Sequence, residues 1–165
     1  SDISIKAAQT GHLVLSTLHT NDAPTTLTRM RNMGIAPFNI ASSVILITAQ
    51  RLARRLCPQC KEPADIPREA LLEAGYDEAD IDGSWVTYKP VGCQACNNGY
   101  KGRVGIYQVM PISEEIQRII LQDGSALEIA AQAKREGVRS LRGSGLHKAR
   151  LGLTSLEEVL AVTNE

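Results

Sequence analysis

Apolar residues near the start of the chain form a short run that predicts a buried strand. The run is Leu-Val-Leu-Ser-Thr-Leu at 13–18; it carries no charge and lies between Gly11 and Asn21-Asp22. A short apolar run bounded by turn residues is typical of a central strand in a parallel sheet. Asn21 or Asp22 can cap a following helix, and Pro24 suits the first turn of that helix. The pattern predicts a strand-to-helix unit of an α/β fold.

Two histidines flank this run, His12 before it and His19 after it. Ligands of open α/β sheets bind beyond the carboxyl ends of the strands, where His19 would stand. If the strand is fully extended at roughly 3.3 Å per residue, the two histidines lie about 23 Å apart. Their odd spacing also points them to opposite faces. We therefore expect the two histidines to have different roles.

Apolar residues at 3–4 spacing predict an amphipathic helix that begins at Pro37. The stripe consists of Ile40, Val44 and Ile47, with Leu46 beside it, and it can extend to Leu52. The predicted end of this helix carries three cations, which are Arg51, Arg54 and Arg55. Two interpretations stay open for them: cations that complement a helix C-terminus, or contacts to phosphate or to a neighbouring subunit.

The second half of the chain predicts one strand and then helices. The strand is expected over 104–109, with Arg103 at its start either as a functional contact or as a salt-bridged surface residue. Four helices follow in the pattern after residue 110. Two of them have sequences of the capping-box type, Ser125-x-x-Glu128 and Thr154-x-x-Glu157.

Composition and charge exclude some classes of protein. The chain has 165 residues with 18 basic and 18 acidic side chains, so no net charge draws it toward nucleic acid. Aromatic residues make up only 4% of the chain against 43% apolar residues, which indicates an aliphatic core. No apolar stretch reaches the ~20 residues that span a bilayer, and the first residues do not resemble a signal peptide. Because the chain opens directly into structured sequence without Met, we expect it to be a piece of a longer protein.

Two C-x-x-C pairs are the strongest chemical signal. They are Cys57-Pro-Gln-Cys60 and Cys93-Gln-Ala-Cys96, separated by 32 residues. Two such turns can close a Cys₄ site around one tetrahedral zinc ion, and a site without an open position is structural. Stable disulfides are disfavoured without a secretion signal, and a redox motif would not need to be duplicated. The interval exceeds the usual 15–20 residues, which predicts an insertion with a helix over 67–75 and Trp85 packed on it.

Several longer motifs together identify a resemblance. They are Thr-Gly-His-Leu-Val-Leu-Ser-Thr-Leu-His-Thr-Asn-Asp (10–22), Met-Gly-Ile-Ala-Pro-Phe (33–38), Ala-Gln-Arg-Leu-Ala-Arg-Arg-Leu-Cys-Pro-Gln-Cys (49–60), Gly-Tyr-Lys-Gly-Arg-Val-Gly-Ile-Tyr (99–107) and Gly-Leu-Thr-Ser-Leu-Glu-Glu-Val (152–159). The chain resembles, over nearly its whole length, the C-terminal half of the secretion-ATPase superfamily. This superfamily contains the type IV pilus assembly ATPases and their type II secretion relatives. The Cys₄ insertion favours the pilus extension motors over the retraction type, which lacks it.

The resemblance implies a fold and a set of roles. The fold is α/β, the C-terminal part of a RecA-like P-loop ATPase domain (1–56) with a Cys₄ zinc subdomain (57–106) and a C-terminal helical subdomain (107–165). His19 and His12 are implied as catalytic residues of the His box. Nucleotide or subunit-interface contacts are implied for Thr17, Arg51, Arg54, Arg55 and Arg103. One structural Zn²⁺ per chain is implied at Cys57, Cys60, Cys93 and Cys96.

The same resemblance implies that the intact protein binds ATP and Mg²⁺. It would act as a cytoplasmic homo-hexamer on an inner-membrane pilus or secretion platform, without nucleic acid. Two alternatives stay open: a type II secretion ATPase, and a stand-alone zinc-ribbon module that binds another macromolecule.

The sequence departs from the complete family pattern in two ways. No G-x-x-x-x-G-K-[ST] phosphate loop occurs in it, and no acidic motif that could hold Mg²⁺ follows a strand. We therefore expect these 165 residues alone not to hydrolyse ATP. Because the sheet strands that precede this segment in the family would be missing, we also expect the strand at 13–18 to present an exposed edge prone to self-association. Besides these missing motifs, the sequence has Gln108 where relatives commonly have Glu. This substitution affects only a local contact.

Overall fold

The computed structural model describes residues 2–163, which form a mixed α/β protein. Its helices and strands are, in chain order, α1 Asp2–Gln9, α2 Ala23–Asn32, α3 Pro37–Ser43, β1 Leu46–Leu56, β2 Glu62–Ala64, α4 Arg68–Ala74, a 3₁₀ turn Glu78–Asp80, β3 Thr87–Lys89, β4 Tyr100–Pro111, α5 Glu114–Leu121, α6 Ala126–Arg135, α7 Leu141–Arg150 and α8 Leu156–Val162. Among the described helices, none is long and apolar enough to cross a membrane.

The chain divides into two compact units. The first comprises the chain up to Ala49 together with Gln108–Arg139, and the second comprises Gln50–Tyr107 with the chain from Ser140 onward. Strands β1 and β4 are hydrogen-bonded neighbours, and each contributes residues to both units. The predicted division at residues 57 and 107 remains a prediction.

The first unit is built on helices that bury one face each. Helix α3 packs on α1 and α5, while α6 packs on α2 and α5. Its largest fully buried side chains are Leu27, Ile40, Met110, Ile116, Ile120 and Ile129. The predicted start of α2 is confirmed, since a carboxylate oxygen of Asp22 accepts the N–H of Thr25 at 2.7 Å and Pro24 lies in the first turn.

The prediction of one long helix from Pro37 to Leu52 is wrong. Helix α3 ends at Ser43, and β1 begins at Leu46. Along β1 the buried residues Ile47, Ala49 and Ala53 follow the alternation of a strand. The β-branched residues between 44 and 48 favour that conformation. The helical spacing of positions 40, 44 and 47 was a coincidence, because these residues do not share one helix. Ile40 lies in α3, Val44 follows that helix, and Ile47 lies in β1.

The prediction of a strand at 13–18 is also wrong. Residues 12–20 have no regular secondary structure, and Leu13 and Leu15 are more than four-fifths exposed. A strand exists by pairing its backbone with a neighbour. No strand among residues 2–163 pairs with this segment. The predicted distance between His12 and His19, and their predicted positions on opposite faces, assumed an extended strand. Neither prediction is supported without that strand.

The second unit contains the insertion. Strands β2 and β3 pair antiparallel, with Pro63 opposite Tyr88. The predicted helix appears as α4 and ends at Gly75, whose φ of 112° is suited to glycine. The prediction for Trp85 is confirmed: its indole N–H donates to the carbonyl of Asp80 at 2.7 Å, and its ring lies 4.8 Å from that of Tyr76.

The predicted C-terminal helices are present as α5 to α8. The capping box at Ser125 and Glu128 is confirmed. The cap proposed at Thr154 is wrong by one residue. Ser155 is the N-cap of α8, and its hydroxyl accepts the N–H of Glu158 at 3.1 Å. Both Thr154-x-x-Glu157 and Ser155-x-x-Glu158 fit the capping pattern, so the sequence alone could not separate them.

Candidate functional site

Four cysteines of the second unit converge on one point. Cys57 directly follows the end of β1, Cys60 lies before β2, and Cys93 and Cys96 lie between β3 and β4. The N–H of Cys57 donates to the carbonyl of Gly99 at 2.9 Å. This hydrogen bond ties the first cysteine pair to the turn that carries the second.

The spacing of the sulfur atoms fits a tetrahedral metal ion. The Sγ atoms are 3.9 Å apart for Cys57 and Cys93, 3.7 Å for Cys60 and Cys96, and 3.6 Å for Cys93 and Cys96. All four lie within 4.8 Å of one another. Thiolates bound tetrahedrally to zinc at about 2.3 Å would be about 3.8 Å apart. The four cysteines are not disulfide-bonded and can hold a metal ion.

Backbone N–H groups point at the sulfur atoms. Those of Gly92 and Cys93 donate to the Sγ atoms of Cys60 and Cys96, each at 3.3 Å. Burial opposes ionisation of Cys96, but hydrogen bonds from Cys93 outweigh it and lower the pKa of the Cys96 thiol to about 7. The N–H of Ala95 lowers the pKa of Cys93, but the neighbouring sulfur of Cys96, burial and the other two sulfurs outweigh it and raise this pKa to about 11. Four sulfur donors leave no position for substrate, so a metal here would be structural.

The turn at Gly99 has no room for a side chain. Its φ is 87°, and a Cβ atom there would overlap Pro90 and lie 2.8 Å from the N atom of Val91. We expect Gly99→Ala to destabilise the second unit by roughly 3 kcal/mol, because overpacking against backbone adds to left-handed strain of about 1–2 kcal/mol. Thermal unfolding of the metal-loaded protein measures the change.

Gly102 supplies the matched control for this substitution. Its φ is 78°, yet a Cβ atom there would meet nothing within 4 Å. Gly102→Ala should therefore cost only the backbone strain, about 1–2 kcal/mol. Equal losses in the two variants would show that the close approach of Gly99 to Pro90 is unimportant.

Arg54 is held within the second unit by a buried glutamate. Its backbone N–H donates to one carboxylate oxygen of Glu158 at 2.9 Å, and its guanidinium donates to the other at 2.7 and 3.0 Å. The guanidinium carbon lies 4.2 Å from the centroid of the Tyr100 ring. The hydroxyl of Thr154 donates to the carbonyl of Arg54 at 2.8 Å. These contacts attach the start of α8 to β1.

The Arg54–Glu158 pair predicts a stability that depends on pH. Hydrogen bonds from Arg54 outweigh desolvation and lower the pKa of Glu158 below its ordinary value of 4.5. A pKa lower in the folded than in the unfolded state stabilises the fold above the unfolded value, and the gain is lost as the pH falls through the folded value. At pH 7 we expect Glu158→Gln to cost about 1–2 kcal/mol, and the cost to shrink below pH 4.5.

Glu157 provides a control for the charge at the start of α8. It lies in the same first turn and is exposed. Glu157→Gln removes the same favourable interaction with the helix dipole, worth about 0.3–1 kcal/mol. Urea unfolding of both variants from pH 3 to pH 7 separates the ion pair from this general effect. If the two variants lose the same stability at pH 7, Arg54 does not stabilise the fold through Glu158.

The other predicted arginines also belong to the second unit. Arg51 on β1 is half-buried, whereas Arg55 on β1 and Arg103 on β4 are exposed. The interpretation that Arg51, Arg54 and Arg55 complement a helix C-terminus is wrong, because all three lie in β1. Their proposed contacts to nucleotide or to a subunit remain predictions.

The two predicted catalytic histidines lie in the first unit and are exposed. The Nδ1 atom of His12 is 3.2 Å from the hydroxyl oxygen of Thr10, and the His12 N–H donates to the carbonyl of Ala7 at 3.2 Å. Thr17 lines a groove of about 510 Å³, together with parts of α1, α2 and the beginning of β1. The residues that follow His19 are anchored to α2.

The sequence did not predict the roles of three residues that make contacts in the structure. Glu158 and Tyr100 had no predicted role, although the alternative capping pattern at Ser155-x-x-Glu158 would have placed Glu158 in the first turn of α8. Gln108 was noted as a departure without a partner. It is buried, and its side-chain oxygen accepts the N–H of Ala23. No local sequence signal reveals a contact across 85 positions.

The chain belongs to the Type II/IV secretion system protein family, whose model matches residues 1–161. It is 59% identical, over its full length, to the Type IV pilus assembly ATPase PilB of Acinetobacter baylyi, and 58% identical to the protein of the same name from Pseudomonas aeruginosa. It covers 29% of each. It is also 44% identical, over its full length, to the Type II secretion system protein E of Aeromonas hydrophila, of which it covers 32%. The chain thus spans less than a third of the length of these relatives.

Proposed function

We propose that this chain forms the C-terminal part of a hexameric ATPase that powers type IV pilus assembly at the inner membrane. The observation that carries the proposal is the full-length match to pilus assembly ATPases at 59 and 58% identity. Two further pilus assembly ATPases match at 52 and 46%. The division into a RecA-like part (1–56), a zinc subdomain (57–106) and a helical subdomain (107–165) is part of this proposal.

Zinc is the metal that we propose for the four cysteines, one ion per chain. The sulfur spacing supports a tetrahedral ion, and thiolate donors favour zinc over the hard cations Mg²⁺ and Ca²⁺. Such an ion would hold the turn after β1 to the turn before β4. It would supply folding stability and no chemistry.

ATP hydrolysis in the intact protein would require parts that these 165 residues lack. Phosphoryl transfer depends on a phosphate-binding lysine and on Mg²⁺ to stabilise the developing charge. We propose that His19 contributes by sensing phosphate or placing water, with a secondary role for His12. Thr17, Arg51, Arg54, Arg55 and Arg103 would contact nucleotide or a neighbouring subunit.

The first test compares the 165-residue chain with the longer protein that contains it. We expect no ATP turnover from residues 1–165 above a mock preparation, because the main electrostatic stabilisation, several kcal/mol in comparable sites, is missing. Phosphate release at saturating Mg²⁺-ATP measures it. The longer protein should turn over ATP, and loss of that activity on replacing its phosphate-loop lysine excludes a contaminant. ATPase activity that copurifies with residues 1–165 through two columns would contradict the proposal.

A type II secretion ATPase is the second candidate. The full-length match at 44% identity to a type II secretion system protein E favours it, although less than the pilus matches do. Complementation separates the two: the longer protein should restore pili to a strain lacking its pilus assembly ATPase and should not restore secretion to a type II secretion mutant. A stand-alone zinc module is disfavoured, since the family match extends over residues 1–161 rather than over the cysteine region alone.

We place the intact protein in the cytoplasm, attached to the inner membrane through a platform protein. The lack of net charge supports protein partners over nucleic acid. Pull-down of the full-length protein with the cytoplasmic part of its platform protein tests this placement, and binding only to duplex DNA would contradict it.

A further inference from the structure

We infer that Gln108 is a positioning residue for His19 and acts through the first turn of α2. The inference rests on the proposed function, in which His19 acts at the nucleotide. The two residues belong to different elements, since Gln108 is on β4 and His19 lies four positions before α2. Both are part of the first unit.

The side chain of Gln108 satisfies a backbone donor at the start of α2. Its Oε1 atom accepts the N–H of Ala23 at 2.9 Å. Ala23 is fully buried and Gln108 is 6% exposed. The first N–H groups of a helix have no partner within the helix, and water cannot easily replace the acceptor at a buried position. Removal of the acceptor would leave this N–H unpaired and displace the first turn of α2.

The residues between His19 and Ala23 are fixed to this same turn. The hydroxyls of Thr20 and Thr26 are 2.7 Å apart, and that of Thr26 also donates to the carbonyl of Asp22 at 2.8 Å. The carboxylate of Asp22 caps the helix through Thr25. A shift of the turn is therefore passed to Thr20, the residue next to His19.

His19 has no second anchor on its other side. Residues 13–19 form no hydrogen bond with any part of the chain that the structure describes. Within residues 13–24, hydrogen bonds thus hold His19 only from its C-terminal side. Gln108 is the contact that attaches this anchored turn to β4.

The contact requires an acceptor and does not require an amide. A carboxylate at position 108 could accept the same N–H, and the positive end of the α2 dipole would favour its charge. A methionine has nearly the same length and cannot accept in the same way. Gln108→Glu and Gln108→Met therefore separate acceptance from packing.

The experiment measures steady-state ATP hydrolysis by the full-length protein. We expect Gln108→Met to lower kcat by tenfold to a hundredfold with little change in KM, because a displacement of about 1 Å at a reacting group costs up to about 10²-fold. Gln108→Glu should keep most of the activity. His19→Ala/Gln108→Met should be no slower than His19→Ala alone, since Gln108 acts only through His19. Hydrogen–deuterium exchange should rise in peptides covering 12–24 of Gln108→Met.

Gln132→Met is the matched control, because Gln132 lies on α6 in the same unit. Within residues 2–163 its side chain bonds only to Glu136 and Arg135 of its own helical region. Its activity and exchange should match the parent protein. Three results would overturn the inference while leaving the role of His19 intact. They are a normal kcat in Gln108→Met, an equal loss of activity in Gln108→Met and Gln108→Glu, and additive losses in the double variant. Full turnover by His19→Ala would instead refute that role, and the inference with it.

Discussion

Removal of the metal ion from the four cysteines is expected to unfold residues 57–106, the cysteine-containing part of the second unit. The cysteine region of this unit consists of two three-residue strands, one short helix and long turns, so little regular structure supports it. Metal binding by small zinc domains contributes on the order of 10 kcal/mol, comparable with the whole stability of a typical domain, about 5–15 kcal/mol. The first unit has its own core of buried helices and should remain folded.

Trp85 makes this prediction measurable in the second unit alone. It is the only tryptophan of the chain, and its ring packs against Tyr76 within the insertion. A chelator that strips the metal should shift Trp85 fluorescence to that of exposed indole, and added Zn²⁺ should reverse the shift. Cys60→Ser should resemble the chelated protein. Gln94→Ser changes an exposed residue of the same turn that is not a ligand, and it should behave as the parent.

Unchanged Trp85 fluorescence and unchanged thermal unfolding after the metal has been removed would contradict a structural role for the ion. Metal content determined by mass spectrometry must accompany the measurement. One ion per chain is expected before chelation and none after it.

His19→Ala in the full-length protein is expected to lower kcat on the order of 10²-fold, with a smaller change in KM. A group that senses phosphate or places water acts chiefly in the transition state, where positioned proton-transfer groups contribute about 10²–10⁴-fold. His12→Ala should have a weaker effect, because the proposed function gives His12 only a secondary role. The measurement is ATP turnover over a range of ATP concentrations.

His147→Ala is the control for losing an imidazole. His147 lies on α7 in the second unit and has no proposed part in catalysis. Its kcat should stay within about twofold of the parent after correction for folded protein, as is usual for substitutions away from a site. Equal loss in His147→Ala and His19→Ala would point to general destabilisation rather than to catalysis. Wild-type turnover in His19→Ala would remove His19 from the proposed site.

Local chemistry was predictable where the determining residues are close in sequence. The C-x-x-C spacing identified four cysteines that the fold brings together. Ser125-x-x-Glu128 identified the start of α6, because its two capping bonds join residues three apart. Gly75 likewise marked the end of α4. In each case one turn of chain contains both partners, so the sequence pattern carries the geometry.

Prediction failed where the conformation depends on a distant partner. Residues 13–18 have the composition of a strand, but no neighbouring strand among the described residues pairs with them. The segment from Val44 to Leu52 fitted a helical stripe, yet from Leu46 onward it forms β1, because β4 supplies hydrogen bonds that no local pattern reveals. The partner of Arg54 was likewise not predictable, because Glu158, whose carboxylate accepts from its guanidinium, lies 104 positions away.

The sequence by itself determined the family, the four-cysteine site and most helix boundaries. These rest on motifs and on hydrogen bonds within a few residues. Only the tertiary structure decided that β1 is a strand, that residues 12–20 have no regular secondary structure, and that Gln108 accepts the N–H of Ala23. The physical reason is the same in each case: a backbone or side-chain donor must find its acceptor in space, and the chain reaches that acceptor only after it folds.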